Sequence, residues 1–202
     1  NKMSIVTDEI LKKKYDKLYK KFIKGNFLEV ITGCNKILKN RKHQSFFNLL
    51  SFAYQKSGRI EKSITVMKEA LALSPNNPNF LNNLGTCFYM LHKYSEAEIY
   101  LKRGLEIDNK HLHILNNLGN LKRETYKIEE SIEYYKKVLS IQKDAVPSLF
   151  NLVGIYRITN QKEKSKQYCK KILELNKKLT DADRQYSLVH NYVENDPHLI
   201  EM

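Results

Sequence analysis

The chain has 202 residues, with 35 Lys+Arg against 22 Asp+Glu and a formal net charge of +13 at pH 7. Its 7 Gly and 4 Pro compare with roughly 14 and 10 at average usage, which excludes a sandwich or barrel built on many tight turns. No apolar run approaches the roughly 18 residues of a membrane span, and nothing at the start of the sequence reads as a secretory signal. Three cysteines, Cys34, Cys87 and Cys169, cannot all pair within the chain and none sits in a CxxC. That usage predicts a reducing, cytoplasmic setting and neither a disulfide scaffold nor a zinc ribbon. Of the 35 basic residues 29 are Lys. A Lys-, Asn- and Ile-rich composition gives such a charge without any selection for a polyanion, so charge alone names no partner.

Taken in chain order, the sequence repeats itself every 34 residues. Residues 8–43 form a degenerate first copy. Gly25, Phe27, Val30, Cys34 and Ile37 keep the second-helix register there, while Leu11, Tyr15, Leu18 and Phe22 are displaced by one place. Clear copies follow at 44–77, 78–111, 112–145 and 146–179. Their columns are Phe47/Leu81/Leu115/Leu149, Leu50/Leu84/Leu118/Leu152, Ser63/Ala97/Ser131/Ser165 and Leu71/Leu105/Leu139/Leu173. Within 78–111, Leu81, Leu84, Phe88 and Leu91 mark one amphipathic helix, and Ala97, Leu101, Gly104, Leu105 and Ile107 a second. A turn over His92–Ser95 joins them, with Ser95 as the expected N-cap. Small residues such as Gly85, Ala97 and Gly104 allow close helix approach, and each pair must stack on its neighbours to bury its open side. Residues 180–202 read as a capping helix to about Val193, ended by Asn195-Asp196-Pro197.

These columns explain several residues that would otherwise invite a chemical reading. Cys169 shares a column with Met67, Leu101 and Tyr135, and Cys34 is assigned to it as well, so the cysteines read as buried small hydrophobes. His111 and His113 lack a Cys, Asp or Glu partner set, so no metal is expected. No phosphate loop, nucleophile elbow or HExxH motif occurs. No cofactor and no catalytic residue is therefore expected.

The signature Leu81–Leu84–Gly85–Phe88–Tyr94–Ala97–Leu101–Gly104, and Leu115–Leu118–Gly119–Ser131–Tyr135–Val138 in the next copy, resembles the tetratricopeptide repeat (TPR) family. Lys122 departs from it in place of an aromatic, and Val153-Gly154 displaces the small residue by one, so local adjustment is expected at both. The resemblance implies an all-α, right-handed α-solenoid of stacked helix–turn–helix TPR units, a single solenoid over 1–202. It also implies that the first helix of each pair faces a concave, peptide-binding wall. On that wall fall Asn48 and Phe52, then Asn82, Asn83, Tyr89 and Met90, then Asn116, Asn117, Asn120 and Arg123, then Phe150, Asn151, Arg157 and Ile158. The asparagines make two columns, Asn48–Asn82–Asn116 and Asn83–Asn117–Asn151. An amide donates and accepts, so a ladder of them suits the backbone of an extended polypeptide. A similar ladder lines the TPR region of O-linked N-acetylglucosamine transferases. The type of TPR that clamps a C-terminal carboxylate is not matched, because Ser45, Asn48, Asn79 and Asn82 stand where its cations would.

Charge divides unevenly, with +8 over 1–43, +9 over 44–179 and −4 over 180–202. Most cations fall off the wall, on second helices (Lys136, Lys137, Lys170, Lys171), as solvated stems over apolar surface. Nucleic acid is accordingly not an expected partner, since its readout wants Arg and aromatics interleaved on one face. A basic start and an acidic end allow head-to-tail self-association. The principal expectation is a non-catalytic scaffold for a protein or peptide ligand. The alternative comes from Asp181-Ala182-Asp183-Arg184 and Asn195-Asp196-Pro197-His198-Leu199, which resemble the stretch after the repeats in TPR-bearing sulfotransferase-like proteins. It makes this chain the acceptor-recognition part of a larger transferase.

Overall fold

The computed structural model describes residues 2–176. The capping helix and tail expected over 180–202, and the sulfotransferase-like stretches within them, lie outside the described residues. The described residues are all-α, a solenoid built of helix–turn–helix pairs. In order the helices are α1 (Lys2–Ile23), α2 (Phe27–Asn40), α3 (Gln44–Lys56), α4 (Ile60–Leu73), α5 (Pro78–Met90), α6 (Tyr94–Ile107), α7 (Leu112–Glu124), α8 (Ile128–Ile141), α9 (Val146–Ile158) and α10 (Lys162–Asn176). The chain divides into two compact units, Asn1–Asn109 and Lys110–Met202, so the boundary falls at the end of the copy 78–111. In the first unit α1 to α6 pack in succession, with α1 also touching α3 and α3 touching α5. First helices thus approach one another directly, which makes them the tighter, inner layer of that unit. In the second unit α7 packs on α8, α8 on α9 and α9 on α10.

Each turn between paired helices is closed the same way. Gly58, His92, Tyr126 and Asn160, one per copy, all take a left-handed φ of 73, 58, 59 and 55°. The N–H of the following residue returns five places, as in Lys93 N to Phe88 O (2.9 Å) and Lys127 N to Lys122 O (2.8 Å). This satisfies carbonyls that the ended helix would otherwise leave open. Because that turn is complete at Lys93, α6 begins at Tyr94 and Lys93 is the N-cap, without a side-chain bond. Ser95 is therefore inside the first helical turn and is not the cap. Side-chain caps appear instead between copies, where Asn77 accepts from Asn79 N (3.0 Å) and Phe80 N (3.3 Å) ahead of Pro78.

The two helices of a copy cross where a small side chain on one meets a large one on the other. A Cβ built on Gly85 would lie 2.7 Å from Leu101 Cγ, and one on Gly119 would lie 2.6 Å from Tyr135 Cε1. In the copy 44–77 the same two places hold Ser51 and Met67, both fully buried. In 146–179 the sizes are reversed: Val153 occupies the glycine column, and the facing residue is the smaller Cys169, in one core cluster with it. That swap is the local adjustment expected at Val153-Gly154, and it leaves Gly154 with open space around its missing Cβ. The first copy is reversed too. There Leu18 on α1 packs on Gly33 of α2, with 2.5 Å from a built Cβ to Leu18 Cδ2. The strict period places Gly33, not Cys34, in the column of Met67, Leu101 and Tyr135. Cys34 lies one residue on and is fully buried.

The serine column adds a bond to this crossing. Ser63 Oγ donates to Ser51 O (3.1 Å), Ser131 Oγ to Gly119 O (2.7 Å) and Ser165 Oγ to Val153 O (3.4 Å). A buried hydroxyl thus ties the second helix to the backbone of the first at its closest approach. Lys122 is accommodated by burying its stem at 2% exposure and carrying its ammonium to Glu130 Oε2 at 2.8 Å. On the outer helices Lys137 lies over Tyr134 (5.3 Å) and Lys171 over Tyr168 (5.0 Å), so these cations cover aromatic surface.

Tyr126 is 90% exposed in a left-handed conformation that costs an L-residue about 1–2 kcal/mol. Tyr126→Gly is expected to stabilise the protein by about 0.5–1 kcal/mol, read as a raised Tm in a thermal melt. Gly85→Val should cost about 1–3 kcal/mol by overpacking against Leu101. Adding Leu101→Cys, which copies the Val153/Cys169 arrangement, should recover part of that loss in a urea titration.

Candidate functional site

The residues expected on the inner wall sit on α3 and α5 in the first unit and on α7 and α9 in the second. In the first unit Asn83 is buried and donates from Nδ2 to Asn48 Oδ1 at 2.9 Å, across the two inner helices. Its own Oδ1 accepts from Asn82 Nδ2 at 3.4 Å. On the same two helices Phe52 and Met90 are exposed, at 41% and 43%, and Tyr89 is half-buried with its ring 5.8 Å from that of Tyr94. The same helices bury Phe46, Leu50, Leu81 and Leu84 on their other face. The wall is therefore amide-rich, with apolar side chains at its surface.

In the second unit the amides form a directed chain. Arg123 Nη1 donates to Asn151 Oδ1 (3.0 Å), and Asn151 Nδ2 donates to Asn120 Oδ1 (3.2 Å). A guanidinium can only donate, so it fixes which end of Asn151 faces it, and Asn151 in turn fixes Asn120. Tyr135, fully buried in the core, adds its hydroxyl to the same Asn120 Oδ1 at 2.6 Å. The Nδ2 of Asn120 then makes no hydrogen bond among the described residues, and Asn120 is half-buried. Asn116 follows suit: its Oδ1 accepts from buried Ser148 at 3.1 Å. Asn48 likewise uses its Oδ1 on Asn83. Three inner amides thus spend their acceptors inside the protein. Among the described residues the Nδ2 of none of the three enters a bond.

Asn117 and Phe150 are half-buried, Phe150 against the cluster of Leu149, Val153, Cys169 and Ile172. Arg157 and Ile158 are exposed at the end of α9. The columns read from sequence are therefore not equivalent. Asn83 and Asn151 bridge helices, while Asn48 and Asn116 accept those bridges or their serine counterpart. Ser148 and Tyr135 were not among the expected wall residues. The only sequence signal for Tyr135 is a hydroxyl in a column otherwise filled by Met67, Leu101 and Cys169.

Elsewhere the polar groups serve structure. Ser51, Ser63, Gln55 and Cys87 form a buried-edge cluster, with Ser51 Oγ and Ser63 Oγ 2.7 Å apart and Cys87 Sγ 3.2 Å from Ser63 Oγ. Burial raises the Cys87 thiol, with hydrogen bonds to Ser63 and Gln55 opposing, and pushes Cys34 up to about 12. A thiol held protonated in this way is a packing group and not a nucleophile at neutral pH. His111 caps α7, its Nδ1 accepting from Ile114 N at 3.3 Å. Among the described residues no group of three or more His, Cys, Asp or Glu is placed to hold a metal, and no helix is long and apolar enough to cross a membrane.

Sequence models described as tetratricopeptide repeat match residues 44–110, 111–147 and 146–179. The chain belongs to the tetratricopeptide repeat family. No curated protein matches it in sequence. Solved TPR structures are similar to it in fold. MamA is 22% identical, with a TM-score of 0.65 covering 79% of this chain and 94% of that one. PilF of Pseudomonas aeruginosa is 18% identical, with a TM-score of 0.71 over 92% of this chain and 89% of its own. TTC0263, a TPR protein of Thermus thermophilus, is 14% identical, with a TM-score of 0.76 over 88% and 97%. Against the TPR signature, the reversed Val153/Cys169 pair and buried Lys122 are departures.

The asymmetry of the Asn48–Asn83 bond is open to test. Asn48→Ala strands the buried Asn83 amide and should cost about 1–3 kcal/mol. Asn48→Ala combined with Asn83→Leu removes both partners and should be less destabilising than the single change, as read by urea unfolding.

Proposed function

We propose that this TPR chain is a non-catalytic scaffold, in a reducing cytoplasmic compartment, whose inner helices hold an extended peptide or a peptide-like segment of a partner protein. One observation carries the reading. The relay from Arg123 through Asn151 to Asn120 consumes amide acceptors and leaves Asn120 Nδ2 as a half-buried donor. Asn48 and Asn116 present the same spare valence. Such donors match the carbonyls of an extended main chain, whatever its side chains. Phe52, Tyr89 and Met90 offer apolar contact to a peptide held on the first unit, and Phe150 to one held on the second. Asn82, Asn83, Asn117 and Asn151 complete the amide set. Arg123, already held by Asn151 and Glu124, and Arg157 add positive charge to the wall of the second unit. The three cysteines, all free and buried, support the reducing compartment.

The donor assignment dictates the experiment. A peptide is selected from a random display library against the full chain, and its affinity is measured by fluorescence anisotropy. Asn116→Asp keeps the acceptor for Ser148 and Asn120→Asp keeps the acceptor for Tyr135 and Asn151, but both lose the donor. Each should weaken binding by about tenfold, the scale of one lost hydrogen bond of about 1.4 kcal/mol. For a peptide held on the first unit, Phe52→Ala should weaken binding similarly, with little change in Tm because Phe52 is exposed. A library that yields no binder, or binding unmoved by all three changes, overturns the reading.

A further inference from the structure

The basic start of the chain folds into a defined groove. Between α1 and α2 lies an open cavity of about 510 Å3. Its floor is apolar, made by Leu11 and Leu18 of α1 and Ile37 of α2, and its rim carries Lys14, Lys17, Lys36 and Arg41. All four cations are exposed, and among the described residues no acidic side chain lines the cavity. Three further lysines on or beside these helices are paired: Lys13 with Glu9 at 3.2 Å, Lys21 with Glu29, and Lys42 with Glu69. None of the four rim cations forms an ion pair among the described residues. The groove therefore presents four uncompensated positive charges around an apolar trough.

We propose that this groove receives the acidic C-terminal segment, residues 180–202, of a second copy of the chain. The charges complement each other. The segment holds Asp181, Asp183, Glu194, Asp196 and Glu201 against a single Arg184, a net −4, where the rim supplies four cations. Its apolar residues Tyr186, Val189 and Val193 recur at the spacing of one helical face, which suits a trough floored by Leu11, Leu18 and Ile37. Exposed ion pairs contribute little singly, so the apolar floor supplies affinity while the charges set partner, orientation and rate. Groove and segment are different surfaces, so the contact is heterologous and propagates head to tail instead of closing as a symmetric dimer. Rim pairs of this kind weaken as salt shortens the Debye length from about 30 Å at 0.01 M to about 3 Å at 1 M.

Sedimentation velocity of the full chain over a concentration series, in low and in high salt, tests this. The wild type should show a sedimentation coefficient that rises with concentration in low salt and returns to the monomer value in high salt. A groove variant (Lys14→Glu, Lys36→Glu, Arg41→Glu) and a tail variant (Asp181→Lys, Asp183→Lys, Asp196→Lys) should each stay monomeric alone, and mixing the two should restore association. The three groove positions are exposed, so unchanged circular dichroism and Tm establish that this variant is folded. A wild type that is monomeric at every concentration in low salt overturns the proposal, whether the groove is empty or filled by the molecule's own segment. So does association that the groove variant leaves intact.

Discussion

The whole stack depends on how closely two helices of one copy can cross. That distance is set by a pair of facing side chains whose combined size is nearly constant although their individual sizes are not. Gly85 meets Leu101 and Gly119 meets Tyr135, Ser51 and Met67 fill the same two places, and Val153/Cys169 and Leu18/Gly33 reverse the order. Close-packed interiors leave no room for two large residues at such a point, and two small ones would open a cavity. The serine hydroxyls from Ser63, Ser131 and Ser165 then clamp the approach onto the facing backbone.

From that crossing the amide-bearing wall follows. Close packing within each pair brings Tyr135 into the core with its hydroxyl at the inner edge, where it reaches Asn120. Across α7 and α9, Arg123 reaches Asn151. Each of these groups holds an amide by its oxygen. The wall is thus polarised by the core behind it, with the oxygens of Asn48, Asn116 and Asn120 turned to neighbouring side chains. Bracing uses the oxygen of these amides, so a structural role for the ladder leaves the nitrogen half of Asn48, Asn116 and Asn120 uncommitted.

Charge has a separate logic. Over the outer helices lysine stems lie on tyrosine faces and their charge is incidental to solubility. At α1 and α2 cations gather around an apolar floor without partners, a different arrangement of the same residue type. A net charge of +13 therefore conceals two populations, and only their placement separates them.

The period, the helix pairs and the family are legible in the amino acids alone, because a 34-residue repeat imposes the same burial on every copy and so writes it many times over. The need for accommodation at Lys122 and Val153-Gly154 is legible there too. Its form is not, since a size swap with Cys169 or a reach to Glu130 depends on which side chains face each other across the turn. Nor does the repeat rank the asparagines. Asn48 and Asn116 share a column, and only packing decides that one accepts from Asn83 while the other accepts from Ser148. Ser95 failed as a cap for the same reason, because a left-handed His92 completes the turn before it. Periodicity fixes what must be buried. Hydrogen-bond direction and the pairing of sizes are properties of contacts, and contacts exist only once the helices have been brought together.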